Sequence, residues 1–327
     1  MSRPSLPCPK CKKLLHDQNE PAKTALAFED CFRRCDDCRV GFSNALRHPT
    51  VIWKNVSDNL PAEAQTAACE TLARSINTAN LGNKRVRFGY NSSEDAVTWV
   101  VFYWLGRQKA AVQASIWRKV LGEWAASAPT VLLWGAPVPP SPEGWALRDR
   151  LIEECDSIGE KPQSRTEPDV VLSFASGGVA IIEVKLGAPN DVKKDTEKNR
   201  AKFDKYVENT GAFRPEGDVR DTLLYELSRN WRFAWALGET HPALVNLGQA
   251  SLFRGAKAAL LDRFEAALDQ PRGSDFHRLE WPKFLDIIEQ AAGGIPGWLS
   301  SWLASRKPPL QTSTPPRKVN DHSPTPN

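Results

Sequence analysis

Glu167-Pro168-Asp169 opens, and Glu183-Val184-Lys185 closes, the stretch of sequence that decides the fold. Two apolar runs, residues 170–174 and 179–182, lie between them and are separated by Ser176-Gly177-Gly178. β-rich runs on either side of a Gly-Gly pair predict a β-hairpin. Because the open ends of a hairpin meet, Asp169 comes close to Glu183 and Lys185, which share one face of their strand. Two carboxylates and an ammonium at one place suit a divalent metal beside an activated water better than they suit a core.

The hairpin loop must have a defined length if these three side chains are to share a face. Residues that pair directly across a hairpin point to the same side, so Asp169 needs an odd-numbered partner. A two-residue turn at Ser176-Gly177 pairs Asp169 with Val184 and misplaces its carboxylate. A three-residue loop, Ser176-Gly177-Gly178, pairs Asp169 with Lys185 instead, and Gly suits the left-handed position of such loops.

The same residues also have a purely structural interpretation. Asp169 is then a cap for a turn after Pro168. Glu183 and Lys185 are then an exposed cross-strand ion pair, which contributes little to stability.

An acidic residue on an earlier helix is the distant part of the predicted site. Ser92-x-x-Asp95 matches a capping box, which predicts that a helix starts at about Ser93. Residues 96–105 are apolar on all sides, which indicates burial. Asp95 acts as the reciprocal cap. Glu94 has no comparable local role and is therefore the candidate that faces a metal. Glu153 and Glu154, on the predicted helix that precedes the hairpin, are the alternatives.

Cysteines near the N-terminus predict a second metal site. Cys8-x-x-Cys11 and Cys35-x-x-Cys38 are separated by 23 residues, which is typical of a four-cysteine structural zinc site. Four thiolates complete a tetrahedron and leave no open position for a substrate, so a catalytic zinc is not expected. Cys31 and His16 lie nearby in the sequence and are interpreted as bystanders.

Composition favours a cytoplasmic protein without a membrane partner. Hydrophobic residues make up 41% and charged residues 25% of the 327 residues, which is ordinary for a globular protein. The net charge of +4 is compatible with nucleic acid but does not indicate it. Seven Cys, an odd number, suit a reducing compartment, and neither a signal peptide nor a membrane-spanning run is visible. The twelve Trp are interpreted as core residues rather than as a base-stacking surface.

The remaining chain is predicted to mix helices and strands. Helices are expected within residues 61–79, 110–128, 145–157, 191–209, 219–238 and most of 250–304. A strand is expected over 129–134, an edge strand within 241–249, and a short basic strand with a solvated edge over Lys84–Phe88. The Pro-, Ser- and Thr-rich tail from Arg306 is expected to be disordered.

The motif residues together resemble those of the PD-(D/E)xK nuclease superfamily, which has the restriction-endonuclease-like fold. The resemblance lies in Pro168-Asp169, in Glu183-Val184-Lys185 and in the acid on the earlier helix. Two longer sequence segments are similar to those of further members of that superfamily: Ser93-Glu94-Asp95-Ala96-Val97-Thr98-Trp99 and Glu167-Pro168-Asp169. The resemblance covers about residues 90–210 and the cysteine module, which precedes such domains in some members.

The resemblance implies an α/β fold in which a mixed sheet is flanked by helices. It also implies that Asp169 and Glu183 ligate Mg²⁺ (or Mn²⁺), with the carbonyl of Val184 as a further ligand. Lys185 would hold or help deprotonate the attacking water and offset charge in the transition state, and Glu94 would be the additional acid. The expected organisation is a zinc-ribbon-like module (1–47), a nuclease-like domain (48–250), a helical C-terminal extension (251–305) and a tail (306–327).

The expected function is that of a metal-dependent nuclease that hydrolyses phosphodiester bonds in DNA. The alternative is a non-catalytic nucleic-acid-binding or assembly protein that retains a nuclease-like fold. DNA is expected as the partner rather than RNA. Cleavage at ends or at internal bonds stays open, and a homodimer is among the alternatives for the quaternary state.

Overall fold

A computed structural model describes residues 4–17, 27–79, 81–208, 210–214, 219–269 and 275–311. The fold is mixed α/β, as predicted: a six-stranded mixed sheet is accompanied by a small N-terminal cysteine-rich region with two short sheets of its own. The described strands are β1 (Leu6–Pro7), β2 (Leu14–Leu15), β3 (Arg33–Cys35), β4 (Val40–Phe42), β5 (Val51–Trp53), β6 (Thr130–Leu133), β7 (Ala136–Pro137), β8 (Val170–Ser173), β9 (Val179–Val184), β10 (Pro242–Gly248) and β11 (Asp275–Glu280).

Ten α-helices are described in the same residues. They are α1 (Gln65–Ala73), α2 (Leu81–Phe88), α3 (Glu94–Gly106), α4 (Ala110–Leu121), α5 (Pro142–Ser157), α6 (Glu197–Val207), α7 (Tyr225–Leu237), α8 (Ala256–Ala266), α9 (Trp281–Ala292) and α10 (Gly297–Ala304). A search of the described helices finds none that combines the length and apolar character needed to cross a bilayer.

The six-stranded sheet lies between two helical layers. Its strand order is β11-β10-β9-β8-β6-β7, with β10 parallel to both β9 and β11 and the other neighbours antiparallel. One face packs against α3, α4, α9 and α10, and the other against α5, α6, α7 and α8. Every residue of β9 is buried, as expected for a strand covered on both faces. The even-numbered residues of β9 face α3, so Glu183 falls on the α7 side.

The β8–β9 hairpin has the predicted parity but a loop one residue earlier than predicted. Val170 pairs with Ile182, which places Asp169 opposite Glu183 rather than opposite Lys185 when the register is continued. Phe174 N donates to Gly178 O over 3.0 Å, so the three-residue loop is Ala175-Ser176-Gly177. The physical reason is a division of roles between the two glycines. Gly177 takes the left-handed conformation (φ +82°), whereas a Cβ on Gly178 would lie 2.4 Å from the ring of Trp124.

Two predictions about local elements are wrong. Lys84–Phe88 belongs to helix α2, because Leu81, Lys84 and Phe88 recur at helical spacing and turn one face inward. Lys84 is accordingly buried rather than part of a solvated edge. The strand predicted within 241–249 exists as β10, but it is an interior strand because β11 pairs along its outer side.

The C-terminal region contributes more than helices. β11 is a strand of the main sheet, and side chains of α9 and α10 join the core that α3 and α4 form. Five of the Trp residues that were interpreted as core are almost completely buried: Trp99, Trp117, Trp134, Trp231 and Trp281. Of the tail predicted to be disordered, residues 306–311 are described and Arg306 is buried, whereas the remainder lies outside the described residues.

Candidate metal and active site

Asp169 and Glu183 lie at the open end of the β8–β9 hairpin, as the sequence predicts. Asp169 immediately precedes β8, and its Oδ2 accepts a hydrogen bond of 2.9 Å from Val184 N. Glu183 is the penultimate residue of β9 and only 5% exposed. The hydrogen bond to Val184 ties the Asp169 carboxylate to the strand that carries Glu183. The hairpin therefore assembles the first two carboxylates by its own register.

Lys185 lies two residues after Glu183, so the period of the strand places both side chains on the same face. Its Nζ lies 2.5 Å from Glu183 Oε1 and 2.9 Å from Glu226 Oε2. Its backbone is fixed on both sides, because Lys185 N donates to Leu247 O and Trp281 Nε1 donates to Lys185 O. Lys185 is 8% exposed, so the structural alternative of a solvent-exposed ion pair is wrong.

Helix α3 brings Glu94 to the same strand end. Ser93 is the N-cap, since Ala96 N donates to its Oγ over 3.1 Å, so the capping role predicted for Ser92 falls one residue later. Glu94 is then the first residue of the helix, and its Oε2 accepts a hydrogen bond of 2.5 Å from Leu186 N. The carboxylate thus reaches the residue that follows Lys185.

Glu153 and Glu154 do not take this place. Glu154 Oε1 instead lies 2.5 Å from Arg232 Nη2, and Glu153 is exposed on α5. Of the acids that the sequence left as alternatives, Glu94 is the one that the structure brings to the hairpin end.

Helix α7 supplies residues that sequence reasoning missed. Glu226 binds Lys185, and Asn230, one turn later, donates from Nδ2 to Glu183 Oε2 over 2.7 Å. Asn230 is fully buried, and its Oδ1 has no hydrogen-bond partner in the described part of the chain. The available signal was a helix whose inward face, with Leu227 and Trp231, also carries polar residues four apart.

Burial sets the protonation behaviour of the carboxylates. It raises the pKa of Glu94 and of Asp169 to about 7 and that of Glu183 to about 8. Burial opposes the charge on Lys185, but the carboxylates of Glu183 and Glu226 outweigh it and raise the Lys185 pKa. Burial also opposes ionisation of Glu226, yet the Lys185 ammonium prevails and lowers the Glu226 pKa.

The charges at this place do not balance. Four carboxylates act on Lys185: those of Glu94, Asp169, Glu183 and Glu226. The second cation of the cluster is Arg229, whose guanidinium interacts with Glu226 and Glu183. When all four acids are ionised, the two cations leave two negative charges without a counter-charge among these groups. An excess of negative charge favours the binding of a cation there.

Glu167, the first residue of the opening stretch, belongs to a separate buried pair. Its carboxylate accepts hydrogen bonds from Ser75 Oγ and Lys84 Nζ, and from Asn77 N over 3.3 Å. Lys84 also lies over the ring of Trp134, 4.7 Å from the ring centroid. Each oxygen of Glu167 therefore has a donor, and the pair joins α2 to the hairpin.

The four predicted cysteines form a compact cluster. Cys8, Cys11, Cys35 and Cys38 place their sulfur atoms within 4.8 Å of one another, so they could hold a structural zinc. Each knuckle is followed by a residue in the left-handed region, Lys12 (φ 65°) and Arg39 (φ 53°). The chain turns directly after each knuckle, and in the first knuckle Lys12 N donates to Cys8 O over 3.0 Å.

Cys31 and His16 lie outside the cysteine cluster, as predicted. The Cys31 thiol donates to Ala27 O over 3.5 Å, and burial raises its pKa to about 12. His16 Nδ1 instead lies 2.7 Å from Ser5 Oγ.

The cysteine region is fixed to the turn that precedes α3. Val51 N donates to Asn91 Oδ1 over 3.0 Å, and Asn91 N donates to Val51 O over 3.1 Å. Trp53 N adds a hydrogen bond of 2.9 Å to Gly89 O. Because Asn91 lies three residues before Glu94, strand β5 connects the cysteine region with the helix that carries the distant acid.

Comparison with family models, with curated proteins and with solved structures finds no match for this chain. The motif residues and their geometry are therefore the basis for a functional assignment.

Proposed function

We propose that this chain is a metal-dependent nuclease that hydrolyses phosphodiester bonds in DNA. The observation that carries the proposal is the buried group of acids around Lys185 at the hairpin end. Glu183 and Glu226 bind the Lys185 ammonium. Asp169 and Glu94 accept hydrogen bonds from the backbone N of the residues on either side of Lys185. A buried carboxylate cluster of this kind is costly to maintain unless a cation compensates it. Stability alone gives no reason for such a cluster, so its residues are interpreted as functional.

The chemistry of the donor atoms present suits a magnesium ion. Asp169, Glu183 and the carbonyl of Val184 offer the hard oxygen ligands that Mg²⁺ or Mn²⁺ prefers, and Mg²⁺ also keeps waters and accepts substrate phosphate oxygens. The buried Oδ1 of Asn230, beside Glu183, is a further oxygen without a partner among the described residues. When bound, the ion supplies a water of lowered pKa and polarises the phosphoryl oxygen.

Lys185 is assigned the role of a fixed cation. Its two ion pairs hold Nζ in place and favour the protonated form. An ammonium in that state offsets negative charge that develops on the phosphate in the transition state, whereas it has no lone pair with which to accept a proton. Asn230 positions Glu183, and Glu226 positions Lys185.

The experiment that tests the function is a cleavage assay with Mg²⁺ or Mn²⁺ on single-stranded, duplex and branched DNA. Glu183→Gln, Lys185→Met and Glu94→Gln are expected to abolish cleavage because each removes a charge from the site. Glu153→Gln and Glu154→Gln are the matched controls: both remove an acid that the sequence offered as an alternative, and both are expected to cleave like the wild type.

Two results would contradict the proposal. One is that no DNA substrate is cleaved with either metal. The other is that Glu183→Gln and Lys185→Met cleave as fast as the wild type, which would trace the activity to a contaminant. DNA binding without cleavage would support the alternative, a non-catalytic nucleic-acid-binding or assembly protein.

We also propose that the cysteine cluster binds a structural Zn²⁺. Elemental analysis of the purified chain is expected to give one zinc per chain, and Cys11→Ser is expected to lose it. Cys69→Ser is the matched control, since Cys69 is an exposed thiol on α1 outside the cluster. Equal zinc content in both variants would contradict the assignment.

A further inference from the structure

A cavity of about 380 Å³ opens beside Glu94 at the N-terminal end of α3. Its lining includes Arg87, Tyr90, Ser92, Glu94 and Lys307. Glu94 belongs both to this lining and to the carboxylate cluster, since the same side chain accepts the hydrogen bond from Leu186 N. The cavity therefore shares Glu94 with the candidate active site.

The C-terminal residues place one cation at the cavity. Arg306 is buried, and its guanidinium lies 4.0 Å from the centroid of the Trp302 ring. Both the backbone and the side chain of the next residue are held by hydrogen bonds. Lys307 N donates to Asn91 O over 3.0 Å, and Lys307 Nζ donates to His48 O. Lys307 thus lines the cavity because the segment before it is anchored.

Arg87 supplies the second cation from the last turn of α2. Its neighbour Phe88 is fully buried, which fixes the helix end, whereas Arg87 itself is exposed. Its charge acts on Asp95, which also lines the cavity. The walls therefore carry two cations and two acids, and an anion is expected to bind there when a divalent metal offsets the acids.

We propose that this cavity binds a phosphodiester group of single-stranded nucleic acid, next to the group held at the carboxylates. Arg87 and Lys307 are the candidates for contact with the phosphate oxygens, and Tyr90 offers a ring to the sugar or base. The volume lies near the lower end of the range for small-molecule sites, about 300–1,000 Å³, which suits one nucleotide and is too small to enclose a duplex. The proposal rests on the nuclease function for its position, but binding can be measured without cleavage.

The test is fluorescence anisotropy with a labelled single-stranded oligonucleotide and its duplex, using the full chain and Ca²⁺ in place of Mg²⁺. Arg87→Ala and Lys307→Ala are each expected to weaken single-strand binding about fivefold at about 0.1 M salt. Each is also expected to reduce the slope of log K against log salt by about 0.7, the contribution of one phosphate contact. Arg118→Ala and Lys119→Ala, two exposed cations on α4, are the matched controls and are expected to bind like the wild type.

Lys307→Gln separates charge from folding, because it keeps a donor for His48 O while it removes the cation. It is expected to weaken binding like Lys307→Ala with an unchanged melting temperature. Unchanged single-strand affinity in the Arg87 and Lys307 variants, or equal affinity of the wild type for the duplex, would overturn the proposal. Weakened binding by these variants in a chain that never cleaves with Mg²⁺ would count against the nuclease and for the cavity. Cleavage by the wild type, together with unchanged single-strand binding by these variants, would support the nuclease and count against the cavity.

Discussion

Two buried lysine–glutamate pairs, Lys84–Glu167 and Lys185–Glu183, differ in what surrounds them. At Lys84–Glu167, both carboxylate oxygens are occupied by donors from Ser75, Asn77 and the lysine itself. At Lys185–Glu183, the ammonium is shared with Glu226, and Glu94 and Asp169 act on it as well. Asp95 is a second carboxylate that acts on Lys84, whereas three carboxylates besides Glu183 act on Lys185. We therefore call the first pair saturated and the second a cluster with an excess of negative charge.

Under the proposed function, the difference separates a structural pair from one that serves the reaction. Removal of one member of a saturated buried pair leaves a buried charge without a partner, which costs about 3–5 kcal/mol. Removal of an acid from a cluster with excess negative charge relieves repulsion instead. A buried ion pair alone is therefore weak evidence of function, whereas an unbalanced charge around it is stronger evidence.

The largest expected effect is on catalysis. Glu183→Gln is expected to lower the cleavage rate by about 1,000-fold, because it removes a proposed metal-binding charge. For comparison, loss of one oxyanion-hole hydrogen bond costs about 10²–10³ in rate. Glu167→Gln, the same substitution in the saturated pair, is expected to leave the rate per folded molecule within about twofold of the wild type. Single-turnover cleavage assays measure both, and a comparable loss in the two variants would remove the distinction.

The next effect is on stability, and its sign differs between the pairs. Without divalent metal at pH 8, Glu167→Gln is expected to lower the free energy of unfolding by about 3–5 kcal/mol, because Lys84 is left buried without its partner. Asp169→Asn is expected to raise it by about 1 kcal/mol, because one of the repelling carboxylates is removed. Urea denaturation of metal-free protein measures both. Destabilisation of similar size in the two variants would show that the carboxylate cluster is saturated as well.

The pH dependence of stability follows from the raised pKa values. The folded-state pKa values of Glu94, Asp169 and Glu183, at about 7, 7 and 8, lie above those of the unfolded chain, about 3.9–4.3. The folded state then binds more protons between about pH 4 and pH 8, so the free energy of unfolding falls as pH rises through this window. Urea denaturation of the metal-free chain at several pH values is expected to show this fall, with a smaller slope in Glu183→Gln. A free energy that rises over the same window in both proteins would contradict the raised pKa values.

The smallest expected effect is at Glu226. Glu226→Gln keeps a hydrogen-bond acceptor for Lys185 and removes one carboxylate charge, so the rate is expected to fall about tenfold rather than to vanish. The pKa of Lys185 is expected to fall as well, so the alkaline limb of the pH–rate profile is expected to move to lower pH. The pH–rate profile measures this shift, and a lower rate with an unchanged profile would reduce Glu226 to a packing role.

The sequence predicted the parts of the site that depend on local chain geometry. Asp169, Glu183 and Lys185 meet because a hairpin has a fixed period, and the two cysteine knuckles carry their spacing in the sequence. Glu94 was predicted because no local role accounted for it. The position of the hairpin loop was wrong by one residue, since the contact of Gly178 with Trp124 is a tertiary one.

Contacts between distant segments were not predictable in this way. Glu226 and Asn230 reach Lys185 and Glu183 across 41 and 47 residues, and nothing in the periodicity of α7 names their partners. Lys84 reads as a surface charge until Glu167, 83 residues away, is placed beside it. β11 follows a segment outside the described residues and has a polar composition, so its place in the sheet came only from the structure.

Calorimetric titration of the zinc-loaded chain with Mn²⁺ at pH 8 tests the central claim most directly, because it measures whether the excess charge binds a metal. The wild type and Glu167→Gln are expected to bind one Mn²⁺ with similar affinity, and Glu183→Gln is expected to lose that binding. The absence of binding in the wild type, or equal binding in the Glu183 and Glu167 variants, would contradict the account.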